Sequence, residues 1–239
     1  MQRYFVNEQQ KDQTFLLGKE DSYHIQKVMR MKVGDLIEVV YQGRVFHCLI
    51  STLFPLVIAE ISSEQQEDRE LSISVTLVQS LVKEQKMDYI LQKATELGVC
   101  AIYPYQAERS VVKVGEKSDK KRQRWQSIVK EASEQSKRNV IPFVGDVLTL
   151  SQLCCMTNYD FCLLCTVNEK EEILKKVLSK CQKGDTMIVI VGPEGGFSEG
   201  EEEALQEVGF LPVSLGKSVL RTETASSFLL SAIRYIDME

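Results

Sequence analysis

Histidine is scarce in this 239-residue chain. There are only two, His24 and His47, and both lie far in sequence from the Cys154-Cys155 and Cys162–Cys165 pairs. That excludes the common zinc-site patterns, which need histidines or a second cysteine pair at short spacing. No apolar run approaches the roughly 18 residues of a membrane span. The first residues, Met1-Gln2-Arg3-Tyr4-Phe5-Val6-Asn7, hold no apolar core of signal-peptide length, so a non-exported, cytoplasmic protein without a membrane partner is expected. Internal repeats and low-complexity segments are absent, which sets aside solenoids and disordered tails. Seven scattered cysteines are an odd number, and Cys48, Cys100, Cys162 and Cys165 sit inside apolar runs. They read as small buried hydrophobes in a reducing compartment, and the Cys162–Cys165 pair as strand residues without a metal.

What is present is an ordinary globular composition, 44% hydrophobic and 26% charged. The net charge of −5 disfavours a general nucleic-acid binder, but its distribution is uneven. Between Arg109 and Arg138 stand 10 basic and 4 acidic side chains, whereas residues 151–239 carry 8 basic and 14 acidic ones. A basic patch on an acidic protein is compatible with RNA, and equally with a solvated helix face.

Residues 1–61 read as a small β-barrel. Short apolar stretches at Tyr4–Val6, Leu36–Tyr41, Val45–Ile50 and Leu56–Ile61 are punctuated by Gly34-Asp35 and Gln42-Gly43. One short helix is expected over His24–Met31, from the spacing of Ile25, Val28 and Met29. The polar run Ser62–Glu70 has no periodicity and reads as a linker, closing a first domain at residues 1–70.

From Leu71 strands and helices alternate, so residues 71–239 are expected to form an α/β domain with a mainly parallel sheet. Strands are predicted at Ile73–Val78, Cys100–Pro104, Phe161–Cys165, Met187–Val191 and Leu211–Leu215. Helical spacing appears around Met87, Ile90, Leu91 and Ala94, around Trp125, Ile128, Val129 and Ala132, and around Ile173, Leu174, Val177, Leu178 and Cys181. Ser198 with Glu201 forms a capping box opening a helix that ends at Gly209. A closing helix carries Ala225, Phe228, Leu229, Ala232, Ile233 and Ile236.

Gly192-Pro193-Glu194-Gly195-Gly196-Phe197 follows a buried strand and runs into a helix. Ligands of open α/β sheets bind beyond the carboxyl ends of strands. The spacing matches neither a dinucleotide fingerprint nor a P-loop, and the neighbouring glutamates would repel a pyrophosphate. A neutral or cationic ligand fits better. Leu215-Gly216-Lys217-Ser218-Val219-Leu220-Arg221-Thr222-Glu223-Thr224-Ala225 is a second strand-to-helix loop, with Thr222 or Thr224 as its cap. Glu108-Arg109-Ser110 and Glu131–Asn139 are rich in groups that hydrogen-bond phosphates or bases.

These segments, together with Ala94-Thr95-Glu96-Leu97-Gly98-Val99 and Glu131-Ala132-Ser133-Glu134-Gln135-Ser136, resemble the bacterial ribosomal RNA small-subunit methyltransferase E (RsmE) family of the SPOUT class. Any one motif is weak, but five in this order are specific, and the resemblance extends to His24–Arg30 and Gly34-Asp35. It implies a PUA-like β-barrel that helps bind RNA and an α/β domain whose end is tucked into a trefoil knot. It implies S-adenosylmethionine as cofactor, a homodimer, and methylation of N3 of one uridine (m3U1498) in 16S ribosomal RNA of the small subunit.

Carried onto this chain, the cofactor loops are Val191, Gly192, Pro193, Glu194, Gly195 and Gly196, then Leu215, Gly216, Ser218, Val219 and Leu220, with Thr224, Ala225 and a third loop at Thr166. Lys217-Ser218 departs from the less polar pair expected there. Arg221 is the candidate for steadying negative charge on the uracil, and Glu223 or Glu194 the candidate base. Arg30, Arg109, Gln135 and Arg138 are the candidate RNA contacts. The competing readings are a Rossmann dehydrogenase, a non-catalytic ribosome-assembly factor, and a methyltransferase of the same class acting on another RNA. The misplaced glycine motif counts against the first, the cofactor-type loops against the second, and the first domain with the Glu131–Arg138 segment against the third.

Overall fold

A computed structural model of the chain describes residues 1–10, 13–113, 118–169 and 174–237. The chain divides into two compact units, Met1–Glu70 with Ser133–Val140, and Leu71–Ala132 with Ile141–Glu239. The division after Glu70 falls where the polar run ends, but residues 133–140 belong with the first unit.

The first unit contains β1 (Arg3–Phe5), β2 (Thr14–Leu16), α1 (Lys19–Tyr23), a π-helical turn His24–Val28, β3 (Leu36–Tyr41), β4 (Arg44–Thr52) and β5 (Ile58–Gln65). Helical structure thus starts five residues before the expected helix, and β2 has no counterpart in the sequence reading. The strands form one sheet in the order β1-β3-β4-β5-β2. It is a curled half-barrel, open between its edge strands, rather than a closed barrel. Gln42 and Gly43 both adopt positive φ, 50° and 77°, the geometry that a two-residue hairpin needs. Alternating residues of β3 and β4, among them Ile37, Val39, Cys48 and Ile50, pack with Tyr4, Phe15, Leu17 and Ile25 into the core.

The expected linker is corrected. β5 continues to Gln65, and two acids beyond it are anchors. Arg3 is fully buried and donates to Glu38 (2.9 Å), Glu67 (3.2 Å) and the carbonyls of Lys137 (2.6 Å) and Arg138 (3.0 Å). Glu70 accepts from Asn139 N–H (2.8 Å) and pairs with Arg138. Asn139 donates to the carbonyls of Gly43 (3.1 Å) and Glu67 (2.6 Å). The run is polar because it supplies carboxylates to two buried arginines.

The second unit contains β6 (Ser74–Ser80), α2 (Glu84–Glu96), β7 (Ala101–Tyr105), α3 (Ser118–Gln135, its last turn in the first unit), β8 (Phe143–Val144), α4 (Leu150–Cys154), β9 (Phe161–Cys165), α5 (Leu174–Leu178), β10 (Thr186–Val191), α6 (Glu199–Glu207), β11 (Leu211–Val213) and α7 (Thr222–Asp237). The six strands are all parallel, in the order β11-β9-β10-β6-β7-β8. β10 is buried on both faces. Met187, Val189 and Val191 face the core that includes α2, α5 and α7, and Ile188 and Ile190 face the core that includes Leu205 and Phe210. That is why its sequence lacks alternation. β8 and α4 are too short for a periodic signal, and β11 stops at Val213 rather than Leu215. Ile173, counted in the α5 pattern, lies outside the described residues.

Partial burial pushes the Glu38 carboxyl up, but hydrogen bonds from Lys137 and Arg3 and their charges outweigh it and hold it below the ordinary value. A lowered folded value means that this contribution to stability is present above about pH 4.3 and is lost as the pH falls through the folded value. Glu38→Gln is expected to cost about 2 kcal/mol at pH 7, because it removes a charge from the buried Arg3. Urea melts at pH 7 and pH 3 check this: the gap between variant and parent should narrow in acid.

Candidate active site

Three adjacent parallel strands end level. Val213, Cys165 and Val191 are cross-strand partners at the carboxyl ends of β11, β9 and β10. Their successors, Ser214, Thr166 and Gly192, leave the sheet side by side, so the three expected cofactor loops share one edge. Thr166 is buried, and its hydroxyl donates to Glu202 (2.6 Å) on α6. Its N–H donates to the carbonyl of Val213 (3.2 Å), tying two of the exits together.

The loop after β10 is a tight turn, with Gly196 N–H donating to Pro193 O (3.0 Å). A Cβ on Gly195 would stand 3.2 Å from Arg109 Cβ, so the backbone passes close to this arginine. Arg109 donates to Phe197 O (3.0 Å) and so supports the loop, whatever else its exposed side chain does. The capping box is present at α6, where Ser198 and Glu201 bond reciprocally. Glu201 is buried and also accepts from Tyr105 OH (2.6 Å) and Glu108 N–H (3.0 Å). The loop is therefore held at both ends.

The second loop, Leu215–Leu220, is largely exposed, with Lys217, Ser218 and Val219 in solvent. Gly216 adopts φ +123°, a conformation that side chains rarely tolerate. Thr222 does not cap through its own helix. Its hydroxyl donates to Gly192 O (2.7 Å) and joins this loop to the first. Thr224 is exposed and Ala225 is buried against the α7 core.

Lys86, in the first turn of α2, was not picked out in the sequence. Its ammonium lies 3.0 Å from Glu194 and 3.3 Å from Glu223, bringing the two candidate bases to one cation. A lysine at a helix N-terminus opposes the helix dipole, and that was the signal available. Burial pushes Glu194 up, but the Lys86 hydrogen bond, its own backbone N–H and the charges of Lys86 and Lys83 outweigh it and hold it below the ordinary carboxylate value. The Glu194 hydrogen bond is also what chiefly holds Lys86 above its ordinary value. Glu223 Oε2 is buried and accepts no hydrogen bond; the Lys86 contact is an ion pair without hydrogen-bond geometry. Arg221 is exposed, and its guanidinium has no partner among the described residues.

Among the RNA candidates, Arg30 and Gln135 are exposed. Arg138 is corrected: it is 3% exposed, with Nε 3.1 Å from Glu70, and its charge is spent inside the first unit. Other cations of the basic segment are paired as well, Arg124 with Asp88 and Glu84, and Arg122 with Asp146. Cys162 and Cys165 lie on β9, where burial pushes both thiols up, Cys165 to about 12. Among the described residues no cluster of three or more His, Cys, Asp or Glu side chains could hold a metal, and no helix is long and apolar enough to cross a membrane.

Residues 69–234 match the RNA methyltransferase domain family, and residues 17–53 match the RNA methyltransferase PUA domain. The ribosomal RNA small subunit methyltransferase E of Bacillus subtilis (strain 168) is 40% identical, over 98% of this chain and 96% of that protein. The chain belongs to the ribosomal RNA small subunit methyltransferase E family. The family member from Aquifex aeolicus (strain VF5) is 33% identical over 96% of this chain and 97% of its own length. The crystal structure of the Neisseria gonorrhoeae family member, bound to S-adenosyl methionine, superposes with a TM-score of 0.88 at 32% identity, covering 99% of this chain and 98% of that one.

Arg138→Ala is expected to destabilise the protein by about 3 kcal/mol, since it removes the guanidinium from the buried side of Glu70. It should leave the salt dependence of RNA binding unchanged, because the buried Arg138 is already paired with Glu70. Urea melts and filter binding over a salt series check the two halves separately.

Proposed function

We propose that this chain uses S-adenosylmethionine to methylate N3 of a uridine in 16S ribosomal RNA, the m3U1498 position, on the small ribosomal subunit. The observation that carries the reading is the shared edge of three loops, joined by Thr222 and Gly192, with Glu194, Glu223 and Lys86 beside it. The residues fit the cofactor. Glu194, Glu202 and Glu223 bring carboxylates to this edge beside the Lys86 ammonium, and carboxylates accommodate a sulfonium where they would repel a phosphate. Thr166, the Val191–Gly196 loop, Leu215, Gly216, Ser218–Leu220, Thr224 and Ala225 would hold it. The RNA methyltransferase domain match, and the relative with bound S-adenosyl methionine, support this assignment.

When bound, S-adenosylmethionine supplies an electrophilic methyl group; the protein must prepare the nucleophile. Uracil N3 carries a proton at neutral pH, so a base has to take it. Glu223 is the stronger candidate because one carboxylate oxygen is buried without a hydrogen-bond donor. Glu194 is held low by Lys86 and is the weaker acceptor. The unpartnered Arg221 is available to balance negative charge developing on the uracil oxygens. Arg30, Arg109 and Gln135 are proposed RNA contacts, with the target base unpaired or flipped so that its N3 edge is accessible. A homodimer, a cytoplasmic location where ribosomal RNA is found, and a knot formed as the segment between β11 and α7 crosses the Gly192 loop belong to the same reading.

The test is transfer of labelled methyl from S-adenosylmethionine to small subunits that lack the modification, followed by nucleoside analysis. Label in N3-methyluridine is expected. Cofactor binding without label would move the substrate elsewhere, and absence of both would favour an assembly factor. Arg221→Ala should lower the single-turnover rate about 100-fold while the cofactor Kd moves only a few-fold. Equal rates would remove Arg221 from the chemistry. Glu223→Gln should lower the rate by a similar factor, about 100-fold, and more than Glu194→Gln does; the reverse order would reassign the base.

A further inference from the structure

Gln79 is fully buried at the penultimate position of β6, a strand whose inward residues are otherwise mostly apolar. It is the cross-strand partner of Val191, one residue before the β10 loop begins. Its amide is used at both ends. Nε2 donates to Thr222 Oγ1 (3.0 Å) and Ser80 O (3.0 Å), and Oε1 faces the hydroxyl of Ser226 at 2.5 Å. Thr222 Oγ1 accepts from Gln79 and donates its single hydrogen to Gly192 O at 2.7 Å. The bonds therefore run in one direction, from β6 through the first residue of α7 to the peptide that opens the Gly192 loop.

We infer that Gln79 is a positioning residue of the methyl-transfer site, orienting Thr222 and thereby placing Arg221 and Glu223 against the Gly192 loop. This rests on the reading of that edge as the active site. Thr222 stands between Arg221 and Glu223 in the chain, so whatever fixes it fixes the backbone that carries both. Packing alone does not require an amide here. Replacing both partners of a buried hydrogen bond by apolar groups of the same shape is often nearly neutral for stability, whereas a satisfied polar network defines one arrangement. Without Gln79 the Thr222 hydroxyl keeps its acceptor, Gly192 O, but loses the donor that fixes its rotamer. The residue acts through Thr222 and touches no reacting atom.

The test uses the full chain with Gln79→Leu, Arg221→Ala and the double variant. A folded protein melting a few degrees below the parent and a single-turnover rate 10- to 100-fold lower are expected, with cofactor Kd within about threefold. In the Arg221→Ala background, Gln79→Leu should cost clearly less than in the parent, since the part of its effect carried by Arg221 is already gone and only the part carried by Glu223 remains. Independent full losses in the double variant, or an unchanged rate in the single one, overturn the proposal. Gln79→Met, similar in volume and also without a donor, must behave like Gln79→Leu; a parental rate in Gln79→Met would assign the effect to packing. Hydrogen exchange in the free protein gives a readout that does not need substrate. Faster exchange at Gly196 and Ala225 is expected in Gln79→Leu, and parental exchange there overturns the positioning role. If the parent itself transfers no methyl group, the functional reading fails while the exchange result still decides the role of Gln79.

Discussion

The burial of β10 is the constraint on which the second unit depends. An apolar strand with parallel neighbours on both sides, β9 and β6, is held by two ladders and by close packing on both faces, Met187, Val189 and Val191 in one core and Ile188 and Ile190 in the other. Its last residue, Val191, is thereby placed beside Cys165 and Gln79. Everything at the edge is set from there. The glycine loop starts one residue later, Thr166 emerges alongside it, and the hydroxyl of Thr222 reaches the first carbonyl that leaves the sheet. The precision of the site comes from the sheet, and the loops inherit it.

The charges at this edge are arranged around one ammonium. Lys86 lies on α2, between an acid from the β10 loop and an acid from the first turn of α7. Its side chain is about one-third exposed, so the pairing contributes little to folding. Its effect is on chemistry. The two acids are not held equally, Glu194 lying 3.0 Å and Glu223 3.3 Å from the ammonium, and the contact holds Glu194 below its ordinary carboxylate value. Two glutamates of identical chemistry are thus set apart by how closely each approaches the lysine.

Much of this was legible in the residues. The apolar run Met187–Val191 announced a doubly covered strand, Ser198 and Glu201 announced a helix start, and the glycines after Val191 marked the turn that leaves the carboxyl end of the sheet. What escaped was long-range. Nothing near Arg138 in the sequence says that its partner is Glu70, so a buried ion pair looked like an RNA contact. The polar run before Leu71 looked like a linker because its carboxylates answer to arginines far along the chain. Gln79 was passed over inside an apolar strand, since an amide declares its purpose only when its neighbours are in place. Local periodicity identifies elements, but it carries no information about which polar groups meet across them.

The first unit is not one continuous stretch of chain. It takes in Ser133–Val140, and Arg3 is bonded to the carbonyls of Lys137 and Arg138. This has a consequence for biosynthesis. Domains generally fold as units, N-terminal ones first, as the chain emerges from the ribosome. Here Arg3 cannot complete its hydrogen bonds until residues 133–140, which follow β6, α2 and β7, have been made. Until then the guanidinium of Arg3 can reach Glu38 and Glu67 but not its two carbonyl acceptors. The first unit is therefore completed at Val140, part-way through the second, and not at Glu70.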